Sequence, residues 1–334
     1  MAGFVLRRAG WAAFVVVAVV TIVFVLMFGI GDACATKLGP NAGPEQVAQC
    51  RERHGFDQPL WKQYVAYLGV TTCLRRGDDA WHSDPAERGR CGLLQAELGS
   101  SMLHDEPVMD VIVTRLPRTL LLGGLALFFE ILIGVTIGVI AAVRRNTWFD
   151  TGFMATAFLG ISAPTFLTGL VFLYFFAFRL GWFPVGGYGV TGWDHVYHAL
   201  LPAFTLAIIG AATYARIMRS EMIETLRSDF IRTAHAKGVA PWRVVVAHGV
   251  RTALLPIVTL MGLQLAILVS GAIITETIYA WPGVGRLAVE SIVNLDAPIV
   301  MGVVLIVSLT VQLGNFLADI AVAALDPRIR LGSD

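Results

Sequence analysis

Six long apolar runs limit what this chain can become: residues 11–30, 119–143, 151–178, 196–215, 252–275 and 297–318. Glu130 interrupts the second and His198 the fourth; the others hold no charge. A helix rises about 1.5 Å per residue, so twenty residues match a hydrocarbon core of roughly 30 Å. Backbone groups in lipid must be bonded within the chain, which favours helices for such runs. The expectation is an all-α membrane protein with six transmembrane helices. The composition agrees: 334 residues, 56% hydrophobic and 15% charged, with a mean hydropathy of +0.69. The first run follows Arg7 and Arg8 and is long for a cleaved signal, so residues 1–30 read as a retained span. The run at 151–178 exceeds one crossing and is expected to tilt, kink near Pro164 or extend past the bilayer.

Charge fixes an orientation. With the N-terminus inside, thirteen basic residues fall in cytoplasmic segments, among them Arg144, Arg145, Arg216, Arg219, Arg227, Arg328 and Arg330. The two short outer loops hold only Arg179 and Arg286. The positive-inside rule then places both termini in the cytoplasm. The outer segment 31–116 is too long for a mere connection and contains every cysteine: Cys34, Cys50, Cys73 and Cys91. Four cysteines on an oxidising side permit two disulfides in three pairings. Sequence neighbours suggest Cys34–Cys50 and Cys73–Cys91. The stretch 58–69 has Leu60, Tyr64 and Tyr67 or Leu68 at helical spacing, fit to lie on the membrane or pack on the spans.

The longest polar stretch left inside is 229–256, with Arg232, Lys237, Arg243 and Arg251 against one acid, Asp229. It reads as two short helices with a stop between them. Asp229 is expected to cap a helix beginning at Phe230, with Phe230, Ala234 and Gly238 on one face. Gly238 suits a left-handed helix stop, and Pro241 the first position of the next helix. Trp242, Val245, Val246 and Gly249 would then share a face. The plain alternative is a juxtamembrane loop whose arginines touch lipid phosphates.

Some chemistry is excluded. The three lysines, Lys37, Lys62 and Lys237, none preceded by glycine, leave no phosphate-binding loop, so any ATP and magnesium belong to another chain. The spans hold no cluster of His, Cys and carboxylates for a metal, no nucleophile–base pattern indicates an enzyme, and nothing points to nucleic acid. No cofactor is expected in this chain.

The segment Arg232-Thr-Ala-His-Ala-Lys-Gly238, followed by His248, Arg251 and Leu255-Pro256, resembles the EAA-loop of ABC-importer permeases, in the form of the dipeptide/oligopeptide/nickel branch. Further motifs in order are similar to that branch's first permease: Gly31-Asp32, Gly39-Pro-Asn-Ala-Gly-Pro-Glu-Gln46, Phe56-Asp-Gln-Pro-Leu-Trp61, Glu97-Leu-Gly-Ser100, Arg115-Leu-Pro-Arg-Thr119, Glu276-Thr-Ile-Tyr-Ala-Trp-Pro-Gly-Val-Gly285 and Leu325-Asp-Pro-Arg-Ile-Arg330. The resemblance implies a type I importer core over 111–325, an outer cap over 31–110, a coupling loop over 219–256 and a cytoplasmic tail over 326–334. It implies partners as well: a second homologous permease, two cytoplasmic ATPases and an extracytoplasmic substrate-binding protein. The coupling surface would comprise Phe230, Arg232, Thr233, Ala234, Lys237, Gly238, Val239 and Pro241. Two features depart from the family pattern. Arg232-Thr233-Ala234 replaces the usual Glu-Ala-Ala, and 71–95 reads as an insertion with Cys73 and Cys91 near its ends.

Glu276 with Trp281, Pro282, Gly283 and Gly285 is expected to form part of an outer gate or to touch the binding protein; the alternative is a re-entrant turn anchored by Trp281 at the interface. Glu130 reads as a hydrogen-bonded or protonated intramembrane carboxylate, with proton coupling the sharper alternative. The overall expectation is an importer of di- or oligopeptides. The alternatives are nickel or another small solute in the same family and, more distantly, an ion-coupled secondary transporter.

Overall fold

The computed structural model describes residues 2–30, 33–39, 41–54, 56–69, 92–95, 97–104 and 106–325. Among them there is no β-strand, only an isolated bridge between Ser100 and Pro107. The helices are α1 (Ala2–Ile30), α2 (Ala33–Leu38), α3 (Pro44–His54), α4 (Leu60–Leu68), α5 (Val108–Val143), α6 (Trp148–Ser162), α7 (Thr165–Phe172), α8 (Gly192–Thr225), α9 (Asp229–Ala236), α10 (Pro241–Arg243), α11 (Arg251–Ala253), α12 (Leu255–Ile278), α13 (Val284–Val293) and α14 (Ala297–Leu325). Wider π turns continue α7 through Leu173–Arg179 and join α10 to α11 through Val244–Val250.

Among the described residues, stretches of α1, α5, α8 and α14 are long and apolar enough to cross a membrane. The run at 252–275 is covered by the 24-residue α12. The run at 151–178 is not one helix. It breaks into α6 and α7, and Pro164 caps the second piece with its carbonyl accepting from the Leu167 and Thr168 N–H groups. The ring cannot donate to a helical ladder, so the break falls where proline stands.

The chain divides into two compact units. The first contains Thr119–Pro282. In it α5 approaches α8 closely at two glycines. Thr119, Leu122, Ala126, Glu130, Gly134 and Gly138 are all buried on one stripe of α5. A Cβ at Gly134 would lie 2.6 Å from the Cβ of Tyr214 and 2.7 Å from the Ala211 oxygen. At Gly138 it would meet the Met218 Cβ at 2.6 Å and the Ala215 oxygen at 2.7 Å. Lipid tails are as apolar as leucine, so close backbone approach across small residues is what holds two such helices together.

The second unit comprises Val5–Arg118 and Gly283–Leu309. Val20 and Phe24 of α1, Leu98, Val108 and Ile112, Val284 and Leu287 of α13, and Ile299 and Met301 of α14 share one core. Segments that the sequence reading divides between an outer cap and a core domain are thus packed together here. The helix α4 packs on α1: the Tyr64 ring meets Phe24 edge-on at 5.1 Å, and its hydroxyl lies 2.6 Å from that of Thr21. Of the two readings of 58–69, packing on a span is the one seen. Cys34 and Cys50 form a disulfide between α2 and α3, with Cα atoms 5.8 Å apart. The pair Cys73 and Cys91 lies outside the described residues, as does the motif beyond Leu325.

Asp296 ties this unit together. It is 1% exposed, yet its carboxylate accepts the Ser101 hydroxyl at 2.5 Å and the Met102 and Leu103 N–H groups at 3.2 and 3.1 Å. Its carbonyl accepts the Val300 N–H and so begins α14. A buried carboxylate is tolerated when donors surround it in this way.

Candidate functional site

The elbow at 229–256 folds around a core of its own. Ile231, Ala234 and Val244 are buried together, with Val239 packed against them. Ile231 and Ala234 stand three apart on α9, which turns that face inward and leaves Phe230, Arg232, Thr233, Lys237 and Gly238 exposed. The expected face of Phe230, Ala234 and Gly238 is therefore corrected: Phe230 is 47% exposed while Ala234 points into the elbow. Ala234 and Val239 shape the surface from behind. The cap also differs. Ser228 occupies the N-cap position and spends its hydroxyl on the Thr225 carbonyl, at 2.6 Å. Asp229 is already in the first helical turn, where its charge suits the helix dipole, 3.3 Å from Arg232.

The stop is a Schellman turn. Gly238 has φ +76°; its N–H donates to the His235 carbonyl and the Val239 N–H to that of Ala234. A Cβ at Gly238 would find nothing within 4 Å. Gly238 thus suits its left-handed backbone, as expected, and no collision inside the chain bars a side chain there. Pro241 opens α10 as expected. In the return limb Val244 and Gly249 are buried, whereas Trp242 and Val246 are 64% and 57% exposed. The expected shared face of Trp242, Val245, Val246 and Gly249 assumed an α period; the π turn rotates those side chains apart. Gly249 sits against the cytoplasm-expected end of α8, where a Cβ would be 3.1 Å from the Met222 Cε.

Arg219, near the same end of α8, reaches α6. Its Nε donates to Asp150 Oδ1 at 2.5 Å and its Nη2 to Oδ2 at 2.7 Å, a bidentate fork. Asn146 adds its backbone N–H to Oδ2 at 3.0 Å. The Arg219 hydrogen bonds hold the Asp150 carboxyl below its ordinary pKa, against the opposing effect of burial. Asp150 stands just before an apolar run; a lone acid there was the only sequence signal for it.

The outer turn is interior. Glu276 is fully buried and accepts the Thr119 hydroxyl at 2.7 Å. Trp281 is fully buried among Leu122, Ala126, Ala199 and Ala203, with Tyr188 edge-on at 5.0 Å. The indole is a core residue and not an interfacial anchor. Gly283 and Gly285 are buried and Pro282 is half-buried, so this turn offers little exposed surface for a partner. Glu130 is 1% exposed and its carboxyl lies over Gly210, where any Cβ would collide with it.

Comparison with known proteins places these features. Residues 134–331 match the family described as "Binding-protein-dependent transport system inner membrane component", and residues 1–123 match its N-terminal component. A Brucella suis biovar 1 protein named as a peptide permease is 39% identical over 323 residues, covering 94% of each chain. The di/tripeptide transport system permease protein DppB of Pseudomonas aeruginosa is 36% identical over 355 aligned residues, covering 99% of each. Among solved structures, the MetNI methionine ABC transporter superposes with a TM-score of 0.56 at 21% identity, covering 66% of this chain and 99% of that one. That likeness shows that the two chains share an all-α fold. Family matches across most of the chain and relatives aligned along nearly all of it lead to one statement: the chain belongs to the binding-protein-dependent transport system inner membrane component family.

Proposed function

We propose that the chain is a permease subunit of an ATP-driven importer of di- and oligopeptides. It forms part of the path through the plasma membrane, with both termini cytoplasmic. The elbow is the handle by which a separate ATPase works that path. Two permeases, this chain and a homologue, pair with two ATPases, and an extracytoplasmic binding protein delivers the peptide. Peptide transport is favoured because relatives aligned over nearly the whole chain carry peptide-permease names.

The observation that carries the coupling role is the elbow's construction. A loop that only marked topology would need no core. This one buries Ile231, Ala234 and Val244 and presents Phe230, Arg232 and Lys237 beside a glycine with open space above it. Such a surface suits a cleft that takes one aromatic ring, allows close backbone contact and offers acceptors to two cations. The test reconstitutes the chain with its partner subunits in vesicles and follows labelled dipeptide uptake and ATP hydrolysis together. Gly238→Asp is expected to insert normally, abolish uptake and uncouple it from hydrolysis. Normal uptake by that variant, or full-speed uptake by the chain alone without an ATPase, defeats the proposal.

A further inference from the structure

We propose that Asp150 and Arg219 are positioning residues for coupling: their fork makes α6 follow α8 when the elbow moves. The inference rests on the coupling role given above. Three contacts converge on the end of α8 nearest the elbow. Gly249 of the return limb lies against Met222, Gly138 of α5 lies against Met218, and Asp150 of α6 is gripped by Arg219. The first two are close apolar contacts in which shape alone transmits displacement. The third differs in kind. Within residues 148–157 of α6, only Asp150 is buried; Trp148, Thr151, Gly152, Ala155 and Thr156 are exposed. α6 nevertheless lies close along α8, and Asp150 is the one side chain of this half that is buried.

The fork adds a directional tie to that packing. Two parallel N–H to oxygen bonds fix both the distance and the rotation of a planar guanidinium against a carboxylate. The carboxylate is held from its own side as well, since the Asn146 N–H donates to Oδ2 and Asn146 adopts φ +63° to place it there. Arg219 is 27% exposed and Asp150 5%, so the pair is shielded from screening by salt. Displacement entering at the elbow thus reaches α6 through the fork as well as through packing, and α6 leads into α7 at the break near Pro164.

The experiment uses the complete reconstituted importer and reads labelled dipeptide molecules moved per ATP hydrolysed, alongside complex yield and melting temperature. Asp150→Asn and Arg219→Gln are expected to lower that ratio about fivefold or more while ATP hydrolysis continues. Arg219→Lys, which keeps the charge and loses the fork, falls between. In the double variant Asp150→Cys with Arg219→Cys, a short bis-maleimide bridge restores the ratio, since a covalent tether replaces the fork without its charge. The proposal is overturned if the variants assemble and keep the wild-type ratio. It is overturned equally if transport falls only in proportion to lost complex, or if the bridged variant stays uncoupled. A wild-type importer that moves no peptide on ATP instead overturns the functional reading itself, before any variant is compared.

Discussion

Among the described residues three helices stop by the same hydrogen-bond pattern, and comparing the elbow's stop with the other two separates backbone need from surface need. At the elbow the left-handed residue is Gly238. At the end of α12 it is Ala280, with the Trp281 N–H donating to Glu276 and the Ala280 N–H to Thr277. At the end of α13 it is Leu295, with Asp296 donating to Ser291 and Leu295 to Ile292. The fold therefore builds this turn with side chains present, at about 1–2 kcal/mol of backbone strain each. The residue after the stop also differs. Trp281 and Asp296 are buried, so those turns serve the interior, whereas Val239 only backs the elbow. A glycine with open space above it is what an outward-facing stop uses and an inward-facing one can do without.

The largest effect is expected on the interior side. Asp296→Ala removes the acceptor of the buried Ser101 hydroxyl and Met102 N–H and of the half-buried Leu103 N–H. The expected loss is about 3–5 kcal/mol, read as a lower melting temperature of the purified protein in detergent. A melting temperature equal to wild type would show that the interior stop is as dispensable as a surface one. On the elbow, neighbouring residues should part. Ile231→Ala empties the small core and costs that region about 2–4 kcal/mol, visible as faster amide exchange across 229–244. Phe230→Ala should leave exchange unchanged and lower transport per ATP, because its ring is half in solvent. If both variants changed exchange alike, the division of the elbow into core and outer face would fail.

Much of this was readable beforehand, for reasons that also explain what was not. Apolar runs without charge can only be satisfied as helices in lipid, so α1, α5, α8 and α14 were plain, and Pro164, Gly238 and Pro241 act through backbone chemistry that needs no neighbour. The facing of α9 was not readable: Phe230 with Ala234 and Ile231 with Ala234 both obey helical spacing, and a polar loop does not say which side is inward. The π turn at Val244–Val250 leaves no mark in composition. Asp150 with Arg219, and Ser101 with Asp296, are pairs brought together only by the tertiary fold. The two halves of Gly134-Val-Thr-Ile-Gly138 did carry a signal, since small residues four apart on a span mark a close helix contact. Gly138→Val sharpens that reading: the new side chain would press on Met218 and the Ala215 carbonyl, for an expected loss of about 1–3 kcal/mol in the same melting assay.

The smallest expected effect is the most discriminating. Gly238→Ala adds one methyl group at φ +76° with nothing within 4 Å. The backbone strain is about 1 kcal/mol, no more than the chain already carries at Ala280 and Leu295. Folding, insertion and yield should therefore be close to wild type. Transport should not, because the methyl group occupies the space through which a partner's backbone would approach. The measurement is the ratio of dipeptide uptake to ATP hydrolysed, set beside the melting temperature of the same preparation. A clear fall in the ratio with an almost unchanged melting temperature assigns Gly238 to the outer surface. Equal, small losses in both would reduce it to a third helix stop, no different in purpose from the two inside.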